Sequence, residues 1–246
     1  MRTPVLVALL LLLSPATDAL AQSRPARSRD AARPAAEAPP TPVAPPVTAR
    51  QLKALDARSI GPAVMGGRTP SIALDPTNPG VFYVAHAHGG LFKTTDSGGS
   101  FSGVTDKEPI GSVGAVAVAA SDPTVIWIGT GEANDRNSSG WGSGVYRSVD
   151  GGQTWTHAGL ETSRTIAKIA VHPRDPETAY VAAVGDLWTD GGQRGLYKTT
   201  DGGRPWAAVL QAPAPFAGRV GAGDVALDPQ NPDTAAPRGR SPSAPR

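Results

Sequence analysis

Ser148-Val149-Asp150-Gly151-Gly152-Gln153-Thr154-Trp155 is a stretch that reads as a single β-hairpin turn. A carboxylate at Asp150 can accept hydrogen bonds from the amides that follow it, and the glycines supply backbone conformations that L side chains resist. The tryptophan then closes the next strand against the core. The same arrangement returns twice, as Thr94-x-Asp96-x-Gly98-x-Ser100-Phe101 and Thr199-x-Asp201-x-Gly203-x-Pro205-Trp206. Its structural positions are therefore Asp96, Gly98, Phe101, then Asp150, Gly152, Trp155, then Asp201, Gly203, Trp206. One copy would say little, whereas three in register define a repeat.

Working outward, each turn is preceded by a second punctuation mark. Asp75-Pro76-Thr77-Asn78-Pro79, Asp122-Pro123, Asp175-Pro176 and Asn231-Pro232 follow short apolar runs and recur at intervals of 44, 53 and 56 residues. The aspartates of the hairpin turns are 54 and 51 residues apart. A period of this size suits four short antiparallel strands, one blade of a β-propeller. The expected fold is all-β, with blades at about 59–104, 110–157 and 163–210 and the first strand of a fourth at 218–233, an incomplete ring. Nothing from Pro237 onward has strand character, so 234–246 is expected to be a disordered tail. On this reading the chain is a truncated or frameshifted form of a longer protein.

The 246-residue chain holds 29 Gly, 25 Pro and no cysteine, which excludes disulfide, zinc–thiolate and cysteine-nucleophile chemistry. Its net charge of +2 is misleading. Residues 56–236 carry 13 Lys+Arg against 18 Asp+Glu, and the excess of positive charge lies in the flanking segments. A nucleic-acid partner needs that charge on the folded face, so none is expected. Residues 1–21, with Arg2, the apolar run Val5 to Leu13 and Ala19-Leu20-Ala21, read as a cleavable export signal. The run is too short for a spanning helix, so no membrane segment is expected after cleavage; an uncleaved anchor is the alternative. The Pro/Ala/Arg-rich stretch 22–54 reads as a disordered linker ahead of a folded part at 55–233. The location expected is periplasmic, cell-surface or extracellular.

The repeat resembles that of the BNR/Asp-box propellers of sialidases, xyloglucanases and the sortilin N-terminal domain. It is most similar to secreted bacterial "glycosyl hydrolase, BNR repeat" proteins. The residues carrying the likeness are Ile60-Gly61-Pro62, Met65-Gly66-Gly67-Arg68, Ile128-Gly129-Thr130-Gly131-Glu132-Ala133-Asn134, Trp141-Gly142-Ser143-Gly144-Val145-Tyr146, Asp150 to Trp155 and Gly195-Leu196-Tyr197-Lys198. The resemblance implies a fold more firmly than a function.

In a four-stranded meander the two punctuation turns of a blade share one end, which leaves ligands the other. There the loops differ in length, and Arg68, His86, His88, Glu132, Asn134, Asp135, Arg136, Trp141, Arg164, Asp186, Trp188 and Arg194 form the candidate binding face. The expected ligand is a glycan, peptide or protein held by polar groups and tryptophan platforms. Asp135, Asn137 and Ser139 fit the first half of a calcium loop, but Tyr146 stands where its closing glutamate belongs, leaving only a looser oxygen site. His86 and His88 lack an identifiable third metal ligand. No other cofactor is expected.

The alternative function is glycoside hydrolysis, which needs two carboxylates at a set separation or a tyrosine nucleophile with an arginine cluster. The resemblance to xyloglucanases implies an acid just before Gly89-Gly90, where this chain has His86-Ala87-His88. Arg68-Thr69-Pro70 is similar to the sialidase arginine motif without its partners. No catalytic residue is therefore assigned, and a binding or scaffold role is the leading expectation. Open blade edges also favour self-association.

Overall fold

The computed structural model describes residues 67–240 together with Thr48; side chains are described through residue 236. The expected export signal lies outside the described residues, as does the expected linker apart from Thr48. The described residues from 67 onward lie in one compact unit.

The described elements are all strands. The first sheet contains β1 (Ser71–Leu74), β2 (Phe82–His86), β3 (Gly90–Thr94) and β4 (Ser102–Gly103). The second contains β5 (Val113–Val118), β6 (Ile126–Thr130), β7 (Val145–Ser148) and β8 (Thr156–His157). The third contains β9 (Ile166–Val171), β10 (Ala179–Ala183), β11 (Gly195–Thr199) and β12 (Ala207–Leu210). Within each, neighbouring strands pair antiparallel in sequence order. No helix among the described residues is long and apolar enough to cross a membrane.

The fourth sheet differs from expectation. β13 (Gly221–Leu227) has a partner, β14 (Ala235–Arg240), pairing Leu227 with Ala235 and Val225 with Pro237. Residues 235–240 are therefore strand, not tail. The turn explains why: Asp228 accepts from the amides of Gln230 (2.8 Å) and Asn231 (3.4 Å), and its own amide donates to Thr234 O at 3.0 Å. That turn returns the chain antiparallel without an apolar B strand. An edge strand also tolerates Pro237, since only one side must pair.

The core lies between sheets, not within them. Tyr83, Leu91, Val116, Ile126 and Ile128 fill the space between the first and second sheets. Trp127, Ile166, Ile169 and Val181 fill the second gap, and Tyr180, Leu196, Ala222 and Val225 the third. Strand alternation produces this, because successive residues of each central strand face opposite neighbours.

Polar staples repeat alongside the apolar packing. Tyr83 Oη donates to Gly151 O (3.1 Å), Trp127 Nε1 to Pro176 O (3.2 Å) and Tyr180 Oη to Asp233 O (2.7 Å), each reaching the next sheet. A cation from the adjoining strand lies over each ring: Lys93 over Tyr83, Arg147 over Trp127, Lys198 over Tyr180, at 5.3, 5.2 and 5.0 Å. In the other direction, Trp155 Nε1 donates to Val104 O (2.8 Å) and Trp206 Nε1 to Ala158 O (2.5 Å). The equivalent Phe101 has no preceding sheet among the described residues and stays 49% exposed, against the expectation that it would close into the core.

The three hairpin turns are built as their residues dictate. Ser148 Oγ donates to Asp150 Oδ1 (2.7 Å) and accepts from Gly152 N (2.9 Å), while Asp150 also accepts from the amides of Gln153 and Thr154. Thr94 and Asp96, and Thr199 and Asp201, repeat the pattern. Each turn then donates one amide to the other turn of its own sheet: Ser97 to Gly80, Gly151 to Thr124, Gly202 to Glu177, at 2.9–3.0 Å. Both kinds of turn therefore occupy one end. The loops after β2, β6 and β10 and the crossovers between sheets occupy the other.

Candidate functional site

At that other end the loop after β6, residues 131–144, reaches toward both neighbouring sheets. It begins with Gly131, whose φ is +84° and whose amide donates to Ser112 O at 3.0 Å. A Cβ there would lie 1.9 Å from Arg164 O, so only glycine lets the crossover and the loop approach so closely. Glu132 follows and is fully buried. Its carboxylate takes a two-point ion pair from the Arg68 guanidinium, on the segment leading into β1, and a hydrogen bond from Asn134 Nδ2 at 3.2 Å.

Burial alone would raise the Glu132 pKa. The hydrogen bonds from Arg68 and Asn134, with the positive fields of Arg68 and His88, outweigh it and hold the group below the ordinary glutamate range. Glu132 is thus a fixed anion with its lone pairs committed, unsuited to donating a proton at neutral pH.

Farther along, Gly142 N donates to Arg164 O at 2.8 Å, and the Arg164 guanidinium sits 5.4 Å from the exposed ring of Trp141. Arg164 has φ +59°, a strained conformation for a side-chain-bearing residue, which the loop contacts hold in place. A flat aromatic face with a cation beside it at the mouth of the loop is a surface on which a sugar ring or another planar-faced group can stack.

The loop after β10, residues 184–194, is organised differently. Arg194 is 3% exposed and donates to the carbonyls of Val184 (2.8 Å), Asp186 (2.5 Å), Gly191 (2.8 Å) and Thr189. It fastens its own loop and is withdrawn from the binding face, contrary to expectation, because converging carbonyls satisfy its donors. Burial opposes the charge of Asp186, but the amides of Trp188 (2.8 Å) and Thr189 (3.2 Å) outweigh it, keeping the pKa below its usual value. Trp188 remains 55% exposed beside that turn.

The two histidines part company. His86 stacks edge-on against Phe92 at 5.1 Å, its Nδ1 buried without a hydrogen bond, while His88 is exposed near Glu132. No group of three or more His, Cys, Asp or Glu is gathered for a metal among the described residues. Of the calcium candidates, Ser139 Oγ is engaged by the Asn134 and Arg136 carbonyls and the Arg136 amide. Asp135 lies half-buried, and Arg136 and Asn137 exposed, in the same loop.

Nine of the twelve candidates fall into three groups: Arg68 with His88, Glu132 and Asn134; Trp141 with Arg164; and Asp186 with Trp188 and Arg194. The ion pair between Arg68 and Glu132 goes beyond what the sequence reading expects. Its signal is present there nonetheless, since Glu132 continues the buried run of β6 and an acid in that place requires a cation from a crossover.

No family model matches the chain. It is similar to a probable oligoxyloglucan-reducing end-specific xyloglucanase of Neosartorya fischeri, 29% identical over 163 residues, which are 59% of this chain and 18% of that protein. Among solved structures it is similar to the GH74 xyloglucanase from Xanthomonas campestris, with TM-score 0.53 and 22% identity over 74% of this chain and 28% of that one. An ancestral GH74 enzyme matches with TM-score 0.51 and 21% identity, over 69% and 22%. The sheets are propeller blades. The chain spans less than a fifth of the length of the curated relative it matches.

Proposed function

We propose that this chain is an exported Asp-box propeller module that binds an oligosaccharide at the loop end of its blades without cleaving it. The observation that carries the reading is the Trp141–Arg164 platform, exposed at the mouth of a loop anchored by Gly131 and Glu132. Trp188 supplies a second exposed ring on the neighbouring blade. The commitment of Glu132 to Arg68 and of Asp186 to turn amides supports binding over hydrolysis, because neither carboxyl is poised as an acid. Similarity to a xyloglucanase makes xyloglucan oligosaccharides the first ligand to try, ahead of a peptide or protein. The export assignment rests on the character of residues 1–21.

Titration calorimetry with xyloglucan oligosaccharides, beside a reducing-end assay on the same sample, tests the proposal. Binding that Trp141→Ala weakens at least about tenfold, with no turnover, is the expected result. The same similarity favours glycoside hydrolysis as a second reading, and turnover abolished by Glu132→Gln or Asp186→Asn would establish it in place of the first.

A further inference from the structure

The crossover from β8 to β9 carries Arg164 through a strained bend. Thr165 N donates to Ser163 O at 2.6 Å, closing a three-residue turn with Arg164 at its centre and at φ +59°. A positive φ there marks the rarer, strained form of such a turn. Leu160, buried four residues earlier, also has φ +59°. The hydroxyls of Ser163 and Thr165, on either side of Arg164, are buried and find no protein partner, so the turn's own side chains do not hold it. A conformation of this kind persists only where its surroundings impose it.

Contacts from two loops do so. The loop after β6 grips Arg164 itself, through Gly142 N to Arg164 O at 2.8 Å and through the close approach of Gly131. The loop after β10 grips the residues on either side of it. Val184 N and Gly185 N donate to Thr165 O at 3.0 and 3.4 Å. Gln193 clasps Thr162: its Oε1 accepts from the Thr162 amide and hydroxyl, each at 3.1 Å, and its own amide donates to Thr162 O at 3.4 Å. The Val184 bond has counterparts in Ala87 N to Arg68 O and Gly131 N to Ser112 O, so it belongs to the repeat. The clasp by the Gln193 side chain is an addition to it.

We propose that Gln193 is a positioning residue for the Trp141–Arg164 platform: it holds Thr162, and the turn two residues on then keeps the Arg164 guanidinium beside the Trp141 ring. A residue of the third blade thereby sets the shape of a surface carried by the second. Its effect on binding rests on the reading of that platform as the oligosaccharide site, whereas the positioning itself does not. A backbone amide can only donate, so the role requires an oxygen at the Oε1 place. Gln193→Glu keeps that acceptor and Gln193→Met, of similar length, removes it. Gln193 is half-buried in its loop, so neither substitution reaches the core.

Nuclear magnetic resonance of the ligand-free protein gives the first test. The indole N–H resonance of Trp141, assigned by its loss in Trp141→Phe, should move in Gln193→Met and return in Gln193→Glu. That of Trp127, which donates to Pro176 O, should stay in place. Titration with xyloglucan oligosaccharides gives the second: Gln193→Met should bind about fivefold more weakly and Gln193→Glu as the parent does. In a Trp141→Ala background Gln193→Met should cost nothing further, because the two act through one platform. A Trp141 resonance indifferent to Gln193→Met, or not restored by Gln193→Glu, would overturn the positioning role. So would a penalty that persists in Trp141→Ala, since Gln193 would then meet the ligand directly. If the parent binds no oligosaccharide, the proposed function fails, and the resonance alone decides whether Gln193 positions the platform.

Discussion

Arg68 and Glu132, 64 residues apart, are joined by a two-point ion pair that ties the entrance of the first blade to the long loop of the second. The two partners are unequal, because the Glu132 side chain is wholly buried while that of Arg68 is one-third exposed. Arg68→Ala strands a buried anion, whereas Glu132→Gln leaves a neutral amide facing a cation that water can reach. We expect Glu132→Gln to cost about 1 kcal/mol, in line with one weakened hydrogen-bonding group, and Arg68→Ala to lower the urea midpoint further. In Arg68→Ala the Glu132 pKa rises, because burial is then opposed by Asn134 and His88 alone. Its deficit is then greatest at neutral pH and narrows as acid protonates the group, a trend that urea melts at several pH values would reveal.

The tryptophan staples offer a second test. Trp155→Phe keeps an aromatic ring but removes the donor to Val104 O, and Trp206→Phe does the same at Ala158 O. Each leaves a carbonyl without its partner, so a loss of about 1 kcal/mol in denaturant unfolding is expected. Trp155→Ala, which also opens a gap between blades, should cost about 3 kcal/mol or more.

Much of this architecture is legible because a turn is a local event. Asp150, its glycines and Trp155 specify their hairpin within eight residues, and three copies specify a period. The backward-facing Val116, Ile169 and Val225 can be placed by alternation alone. What cannot be read is any relation set by ring geometry. Arg68 finds Glu132 only once two blades are laid side by side, and Arg194 passes for a binding-face residue because sequence does not show four carbonyls converging on it. β14 escapes for the opposite reason: its pairing is backbone to backbone, and Pro237 and Gly239 advertise no strand.

The hairpin aspartates predict an acid response. Hydrogen bonds from the Ser100 hydroxyl and amide hold Asp96 at about 2, and those from Thr154 hold Asp150 at about 2. A carboxylate depressed in the folded state stabilises the fold above its unfolded pKa of about 3.9, and that contribution is lost as pH falls through the folded value. Thermal midpoints should therefore be flat from neutrality to about pH 4 and fall between there and about pH 2. Asp150→Asn should lie below the parent at neutral pH, with the gap closing over that same interval. A gap independent of pH would mean the carboxylate's charge contributes nothing.

Gly131 links stability to the proposed ligand platform. Its φ of +84° and the 1.9 Å approach of Arg164 O to any Cβ mean that Gly131→Ala must displace the crossover carrying Arg164. Backbone strain of this kind costs about 1–3 kcal/mol. The displacement also withdraws the guanidinium from Trp141, whereas Trp141→Ala removes the ring from an exposed position and should change stability by no more than about 0.5 kcal/mol. The two variants therefore separate fold from function: both should lose oligosaccharide affinity, but only Gly131→Ala should lower the thermal midpoint. If Gly131→Ala unfolds early yet binds as the parent does, the Trp141–Arg164 pair is not the platform, and the ligand must be held by Trp188 and the loop that Arg194 fastens.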